Sequence, residues 1–272
     1  MEQNNKPTWK NIYLIVLTIV TIVCIVIGIF NWTSGFSGWF WSDDDDDDAH
    51  TDSMTIVDTE AFDSMELDLD VGDLEIVAGD GYQIQYDYPK KSEPDIKVEN
   101  GRLVVTQKQK FKRHLYDNYK MIITVPKDPE MKSLDLNMDM GSADLTDVYA
   151  KNLTVEADMG GIEIANSEFG VIDIAADMGS ITLDNVIFSQ GSCEADMGSI
   201  EMTGVSFERV VCTADMGSID IDGSFEDIEA DCSMGSVTIT TTEDLDKISF
   251  DLSADMGDVT VNGKNQGNKY VR

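Results

Sequence analysis

The chain has 272 residues, with 52 acidic against 19 basic, a formal net charge of −33, two histidines and four cysteines. A surface of that sign repels nucleic acid, anionic polymers and anionic lipid headgroups, and it attracts cations and basic partners. With no Cys-x-x-Cys pair and no Cys/His spacing there is no zinc motif, and the length fits one domain plus an anchor.

Residues 1–11 read as a short cytoplasmic tail carrying Lys6 and Lys10. Residues 12–30 are uncharged, with only Thr18, Thr21 and Gly28 interrupting an apolar run that includes Cys24. That length spans a bilayer as one helix, and Trp9, Tyr13, Trp32, Trp39 and Trp41 supply aromatics at both rims. The competing reading is a cleaved signal peptide. Its core is normally shorter, and Gly35 and Ser37 make only a weak cleavage site. Val23 before Cys24 does not fit a lipoprotein. Bases before the span and acids after it put the N-terminus in the cytoplasm and everything after Ser42 outside. Residues 31–54 form an interfacial aromatic segment and an acidic linker. Its run Asp43 to Asp48 reads as a self-repelling spacer in preference to a calcium site.

Residues 55–132 hold a first rung and a cap. Asp70-Val-Gly-Asp is a degenerate copy of a turn that recurs later in the chain, and the residues around it alternate apolar and polar. Four β-forming stretches follow: 83–88, 95–98, 102–107 and 121–125. Asn100-Gly101 is a hairpin signal between two of them. The expectation is a small antiparallel sheet that covers the first rung's edge. Most of the bases cluster here, with Lys108, Lys110, Lys112 and Arg113 in one run. They form either a solvated loop or a docking spot for an anionic partner.

Residues 133–264 repeat. The tetrapeptide Asp-Met-Gly-Ser and its variants return at a nearly fixed interval. Gly141, Gly160, Gly179, Gly198 and Gly217 are nineteen residues apart, and Gly235 and Gly257 follow after eighteen and twenty-two. A fixed period of this length means one supersecondary unit stacked on its own copies. In each unit the alternation places residues such as Leu153, Val155, Ala157 and Met159 on a buried face. A glycine turn follows, then a second short strand such as Ile162 to Ile164. Asp first and Gly third suit a type II turn, with positive φ at the glycine.

A second turn carries Asp147, Asn166, Asn185, Gly204 and Gly223, followed by an aromatic file of Tyr149, Phe169, Phe188, Phe207 and Phe225. The eighteen-residue unit loses its residue in this turn, between Gly223 and Phe225, which spares strand register. The fold expected is all-β: a single β-solenoid of about seven rungs, on the order of 30 Å long, with a small antiparallel cap. Cys193 and Cys212 fall inward on adjacent rungs, either as small core fillers or as a bridged pair, and Cys232 replaces a core alanine. The polar tail, residues 265–272, is expected to fray.

Several stretches together resemble the bacterial putative adhesin domains of unknown function, also called Toastrack domains. They are Phe62-Asp-Ser-Met-Glu-Leu-Asp, Pro94-Asp-Ile-Lys-Val-Glu-Asn-Gly-Arg-Leu, Ile123-Thr-Val-Pro-Lys, the Met-Gly-Ser turns and Asp255-Met-Gly-Asp-Val-Thr-Val-Asn-Gly. The resemblance implies a membrane-tethered β-solenoid ectodomain found beside envelope-stress and two-component proteins. It carries no catalytic residues over.

Stacking places Asp139, Asp158, Asp177, Asp196 and Asp215 in one ladder at about 4.8 Å spacing. Each is explained either as a turn residue bonding nearby backbone or as part of a calcium ladder. His50 and His114 lie in the linker and the basic loop, and no nucleophile elbow or phosphate loop is present. The sequence therefore points to a non-enzymatic, single-pass binding or sensing module of the cell envelope, without cofactor, whose partner is a protein or envelope component. The alternative is a cell-surface adhesin or scaffold stabilised by calcium.

Overall fold

The computed structural model describes residues 54–108, 119–127 and 130–272. The expected membrane span, Cys24, the Asp43 to Asp48 run, His50, Lys110, Lys112, Arg113 and His114 lie outside the described residues. Among the described residues no helix is long and apolar enough to cross a membrane.

The repeats coil. A long strand such as Tyr149–Met159 runs to a corner at Met-Gly, a short strand such as Ile162–Ala165 returns, and a tight turn feeds the next long strand, Glu168–Met178. Long strands pair with long strands in parallel, and short with short, one repeat apart. Leu153 lies opposite Ile172, Phe169 opposite Phe188, and Ile162 opposite Ile181. The two resulting faces enclose a core built from columns of equivalent side chains. One column is Ala157, Ala176, Ala195 and Ala214, continuing through Cys232 to Ala254; another is Ile162, Ile181, Ile200 and Ile219. All of these are buried. Small residues fill the columns beside the corner because the two faces converge there, while branched residues fill the wider interior.

The tight turn uses left-handed backbone at Asp147, Asn166, Asn185 and Gly204, with φ of 60°, 51°, 56° and 64°. These are the residue types that adopt that conformation at least cost. The short repeat is closed differently from expectation. Val205 pairs with Gly223 and Thr203 with Asp222, so Gly204 has no counterpart. The deleted residue is the left-handed turn residue itself, and Gly223 takes the place of Val205. The strand therefore runs on without a break as Ile219–Met234.

The aromatic file is real for phenylalanine. Phe188 and Phe207 stack at 5.0 Å and 14°, Phe207 and Phe225 at 5.0 Å and 10°, and Phe250 meets Phe225 edge-on at 6.4 Å. Tyr149 is not in it. It pairs with Glu168, and Ala150 occupies the phenylalanine position. Asp147 is followed by Tyr149 one residue earlier than the later repeats place their Phe, and that offset turns the ring away from the column. Cys193 and Cys212 pair across adjacent rungs as buried, free thiols, and Cys232 is buried and free as well.

Both ends differ from expectation. Strand Ser64–Leu69 lies between Arg102–Gln107 and Met131–Met140, parallel to both. Strand Asp73–Gly79 lies between Lys120–Pro126 and Ala143–Thr146, again parallel to both. Two of the four stretches expected in an antiparallel sheet thus form an outermost parallel rung, and stack order departs from chain order. That rung carries no glycine corner, since residues 108–119 join its strands, so the repeat motif gives no sign of it. The true antiparallel cap is Asp95–Glu99 on Arg102–Gln107, and Gln83–Asp87 between Lys120–Pro126 and Thr55–Asp58. The Asn100-Gly101 hairpin is present, with φ of 54° and 79°.

At the other end the tail does not fray. Lys264–Asn265 and Lys269–Val271 fold back antiparallel on the last rung, and Tyr270 packs on Phe250 with ring centroids 5.4 Å apart. Both open edges of the stack are covered, which removes the templates for edge-to-edge aggregation.

Candidate functional site

The glycine corner is where the rungs repeat Asp-Met-Gly-Ser or a close variant of it, and the stacking accounts for two of the four positions. A Cβ built on Gly198 falls 1.8 Å from the carbonyl oxygen of Gly179 on the rung before. The same distance recurs for Gly160, Gly179 and Gly217, and it is 1.7 Å for Gly235 and Gly257. Gly141 meets Gly72 in the same way at 2.2 Å, which places Asp70-Val-Gly-Asp in the column. The expected cause, positive φ in a type II turn, holds for Gly141 at 134° and Gly160 at 152°, but Gly198 is not in the left-handed region. The common cause is the close approach of successive backbones, which admits no side chain.

The corner's backbone groups also bond between rungs. The Gly160 amide donates to Met178 O at 3.0 Å and the Ile162 amide to Ser180 O at 2.9 Å, and the pattern repeats at Gly179 and Ile181. The serine serves the same ladder. Ser180 Oγ accepts from the Ser199 amide at 3.3 Å, and Ser199 Oγ accepts from the Ser218 amide at 3.2 Å.

The aspartate and the methionine are not used this way. Met159, expected on the buried face with Leu153 and Val155, is 39% exposed. Met178, Met197, Met216 and Met234 follow at 44%, 45%, 44% and 43%. The chain bends at the corner, so strict alternation ends at Ala157 and both Asp158 and Met159 face outward. Met140, Met159, Met178, Met197, Met216 and Met234 pair in register from rung to rung. With Asp158, Asp177, Asp196, Asp215 and Ser233, the last five of these methionines line an open groove of about 690 Å³.

Among the described residues, Asp139, Asp158, Asp177, Asp196 and Asp215 accept none of the expected hydrogen bonds from turn backbone. The contact these carboxylates make is Ser233 Oγ donating to Asp215 Oδ1 at 3.3 Å. The file is closed at its other end by Lys108, whose Nζ lies 2.8 Å from Asp68 and 2.9 Å from Asp70. Those two carboxylates hold the Lys108 ammonium well above the usual lysine range. Partial burial, with Asp70 and Asp158 nearby, pushes the Asp139 carboxyl above the ordinary aspartate value. Among the described residues no group of three or more His, Cys, Asp and Glu side chains is placed to hold a metal ion.

Other outward columns interrupt their charge. Glu163 is followed by Thr182, Glu201, Asp220 and Thr238, and Glu156 by Ala175, Glu194 and Thr213. Several described bases of the cap are paired within the molecule. Arg102 pairs with Glu66 at 2.8 Å, Lys120 with Glu75 at 2.6 Å, Lys132 with Asp63 at 2.6 Å, and Lys97 with Asp95. In the repeats Arg209 spans Asp227 at 2.7 Å and Glu229 at 3.5 Å. Bases on the outermost rung thus offset the acids of the rung beside it.

The chain matches the Toastrack DUF4097 family over residues 62–271. It belongs to that family. Among solved structures, one shares the fold at low identity and two more align weakly. A protein from Bacteroides fragilis described as a putative adhesin aligns with a TM-score of 0.59 and 17% identity, over 78% of this chain and 97% of that one. A putative adhesin from Parabacteroides merdae aligns at 0.44 and 13%, over 77% and 95%. A protein from Parabacteroides distasonis described as a putative lipid binding protein aligns at 0.44 and 16%, over 78% and 94%. A search of curated proteins returns no match. The methionine face of this Toastrack domain was the feature that alternation missed. The signal for it was available in the repeat: Met follows Asp at Met140, Met159, Met178, Met197 and Met216, and from Met159 to Met216 the neighbouring core column shrinks to alanine.

Proposed function

We propose that this Toastrack chain is a non-enzymatic binding module of the cell envelope, held by a membrane helix at residues 12–30 and displayed on the outer side. One observation carries the reading. The corner presents Asp and Met in register at successive rungs, facing outward, although the stacking requires only the Gly. A rigid stack of parallel strands holds such a file at fixed spacing, which suits recognition of an extended or multivalent partner. The family membership supports a binding role, and the proposed partner is a protein or other component of the envelope, an envelope signalling protein among them. The same surface would serve an adhesin, which is how the Bacteroides fragilis protein is described.

The test is site-specific photo-cross-linking in intact cells. A photoreactive residue is placed at Met197 in the groove or at Glu201 on the outer surface of the short strands. A discrete product from Met197 and none from Glu201 is expected. A membrane signalling protein in the product selects the sensing reading, and a glycan or a second cell selects the adhesin. Equal labelling from both positions, or none from the groove, removes the proposal.

A further inference from the structure

We propose that the methionine file is a binding site for a soft monovalent metal ion, copper(I) or silver(I). The inference deepens the proposed function and rests on the groove being the working face. The corner tetrapeptide has four residues, and the fold accounts for two. Gly is fixed by the approach of the preceding carbonyl, and Ser bonds the next amide. Met is left, in register at Met159, Met178, Met197, Met216 and Met234, each about two-fifths exposed. An apolar contact alone does not call for sulfur. The interior columns meet that need mostly with Ile, Val, Leu and Ala, and a buried methionine such as Met138 or Met202 stands singly in a mixed column, never as a file. Outward positions that need only polarity vary from rung to rung, as Glu163, Thr182, Glu201 and Asp220 do.

Thioether sulfur is a soft donor that selects copper(I) over zinc, calcium or magnesium. The spacing suits it. Parallel strands place equivalent residues about 4.8 Å apart, and two metal–sulfur bonds of about 2.3 Å each, the length for zinc thiolates, span about 4.6 Å end to end. Adjacent methionines can therefore meet one ion between rungs, and three rotatable bonds per side chain allow the sulfurs to converge. The groove wall of Asp158, Asp177, Asp196 and Asp215 surrounds the file with negative charge, which raises local cation concentration without supplying a hard, oxygen-only cage.

The experiment uses the full chain in detergent with silver(I), a probe that needs no reductant, followed by native mass spectrometry and competition titration. Wild type is expected to bind about two or three ions, since each ion takes two neighbouring sulfurs. Zinc and calcium should not displace silver. The triple variant M178L/M197L/M216L keeps the groove apolar and similar in volume. It should melt as wild type does and bind fewer silver ions in the native mass spectrum, with only about one retained at the untouched Met140–Met159 pair. The variant retains every cysteine, so undiminished silver binding would assign the metal to thiols or carboxylates and overturn the proposal. That failure is separable from failure of the display reading. Groove cross-links that persist in the triple variant leave the display reading standing whatever the metal does, whereas their absence in wild type removes it without touching the titration.

Discussion

Gly198→Ala tests whether backbone approach, and not turn conformation, dictates the repeat. Gly198 is not in the left-handed region, so an alanine there suffers no φ penalty. Its Cβ would sit 1.8 Å from Gly179 O and 2.5 Å from Gly179 C, backbone atoms that cannot rotate away. Relief requires the two rungs to part by more than about 1 Å at the corner, enough to break the flanking bonds. Those bonds are Gly179 N to Met197 O at 3.1 Å and Ile181 N to Ser199 O at 2.9 Å. Two backbone bonds lost at about 2 kcal/mol each give about 4 kcal/mol. For a domain of this size that lowers Tm by about 12 °C. The assay is thermal unfolding by circular dichroism.

Gly160→Ala should fall by at least as much, because its Cβ meets Gly141 O at the same 1.8 Å and its φ of 152° adds backbone strain. Gly161→Ser is the control. Its Cβ is 3.6 Å from Ser180 O, and serine there completes the ladder, so stability should hold or rise by about 0.5 kcal/mol. A Gly198→Ala protein that melts with wild type would refute the close-approach argument. A loss at Gly160 far exceeding that at Gly198 would return the explanation to turn conformation.

Phe207→Ala, in the middle of the stacked file, should cost about 3–5 kcal/mol, read as a fall in denaturant midpoint, whereas Tyr149→Ala, outside the file, should cost far less. Stability should rise as pH falls from neutrality toward the ordinary aspartate range. Burial first, then Glu163, Asp73 and Glu75, raises the Asp144 carboxyl, and Asp139 is raised as well. A raised acid binds more protons folded than unfolded, so its stabilisation is complete below the unfolded value and is lost as pH climbs through the folded one. Melting temperatures that fall steadily from pH 7.5 to 5 would contradict this. Tyr86 is pushed up to about 12 by burial, with help from the Glu93 carboxylate that accepts its hydroxyl at 2.8 Å. Ultraviolet titration should show it ionising well after exposed tyrosines, with stability declining between the unfolded tyrosine value near 10 and the folded one. If the exposed aspartate file acts through repulsion alone, calcium and magnesium should raise Tm equally at matched ionic strength. A calcium-specific rise would restore the calcium ladder expected as one reading of the sequence.

The sequence alone determined the rung, its register and its core, because a side-chain period of two inside a repeat of nineteen leaves one stacking that buries Leu153, Val155, Ile162 and Ile164 together. It also marked the left-handed turns, since Asp147, Asn166 and Asn185 are chemically suited to that backbone. Tertiary structure decided what depends on neighbours distant in the chain. The glycines are fixed by a carbonyl one rung away, a contact that local turn rules do not contain. Met159 faces outward because the corner bends the strand, although its parity in the alternation is that of the core. Arg102–Gln107 and Lys120–Pro126 join the stack by pairing with Ser64–Leu69 and Asp73–Gly79, far earlier in the chain, with no repeat motif to announce them. The tail is ordered because the last rung would otherwise leave unpaired amides and carbonyls at an open edge. Local pattern fixes what a residue can do within its own coil, and the geometry of the adjacent coil decides which side of it meets solvent.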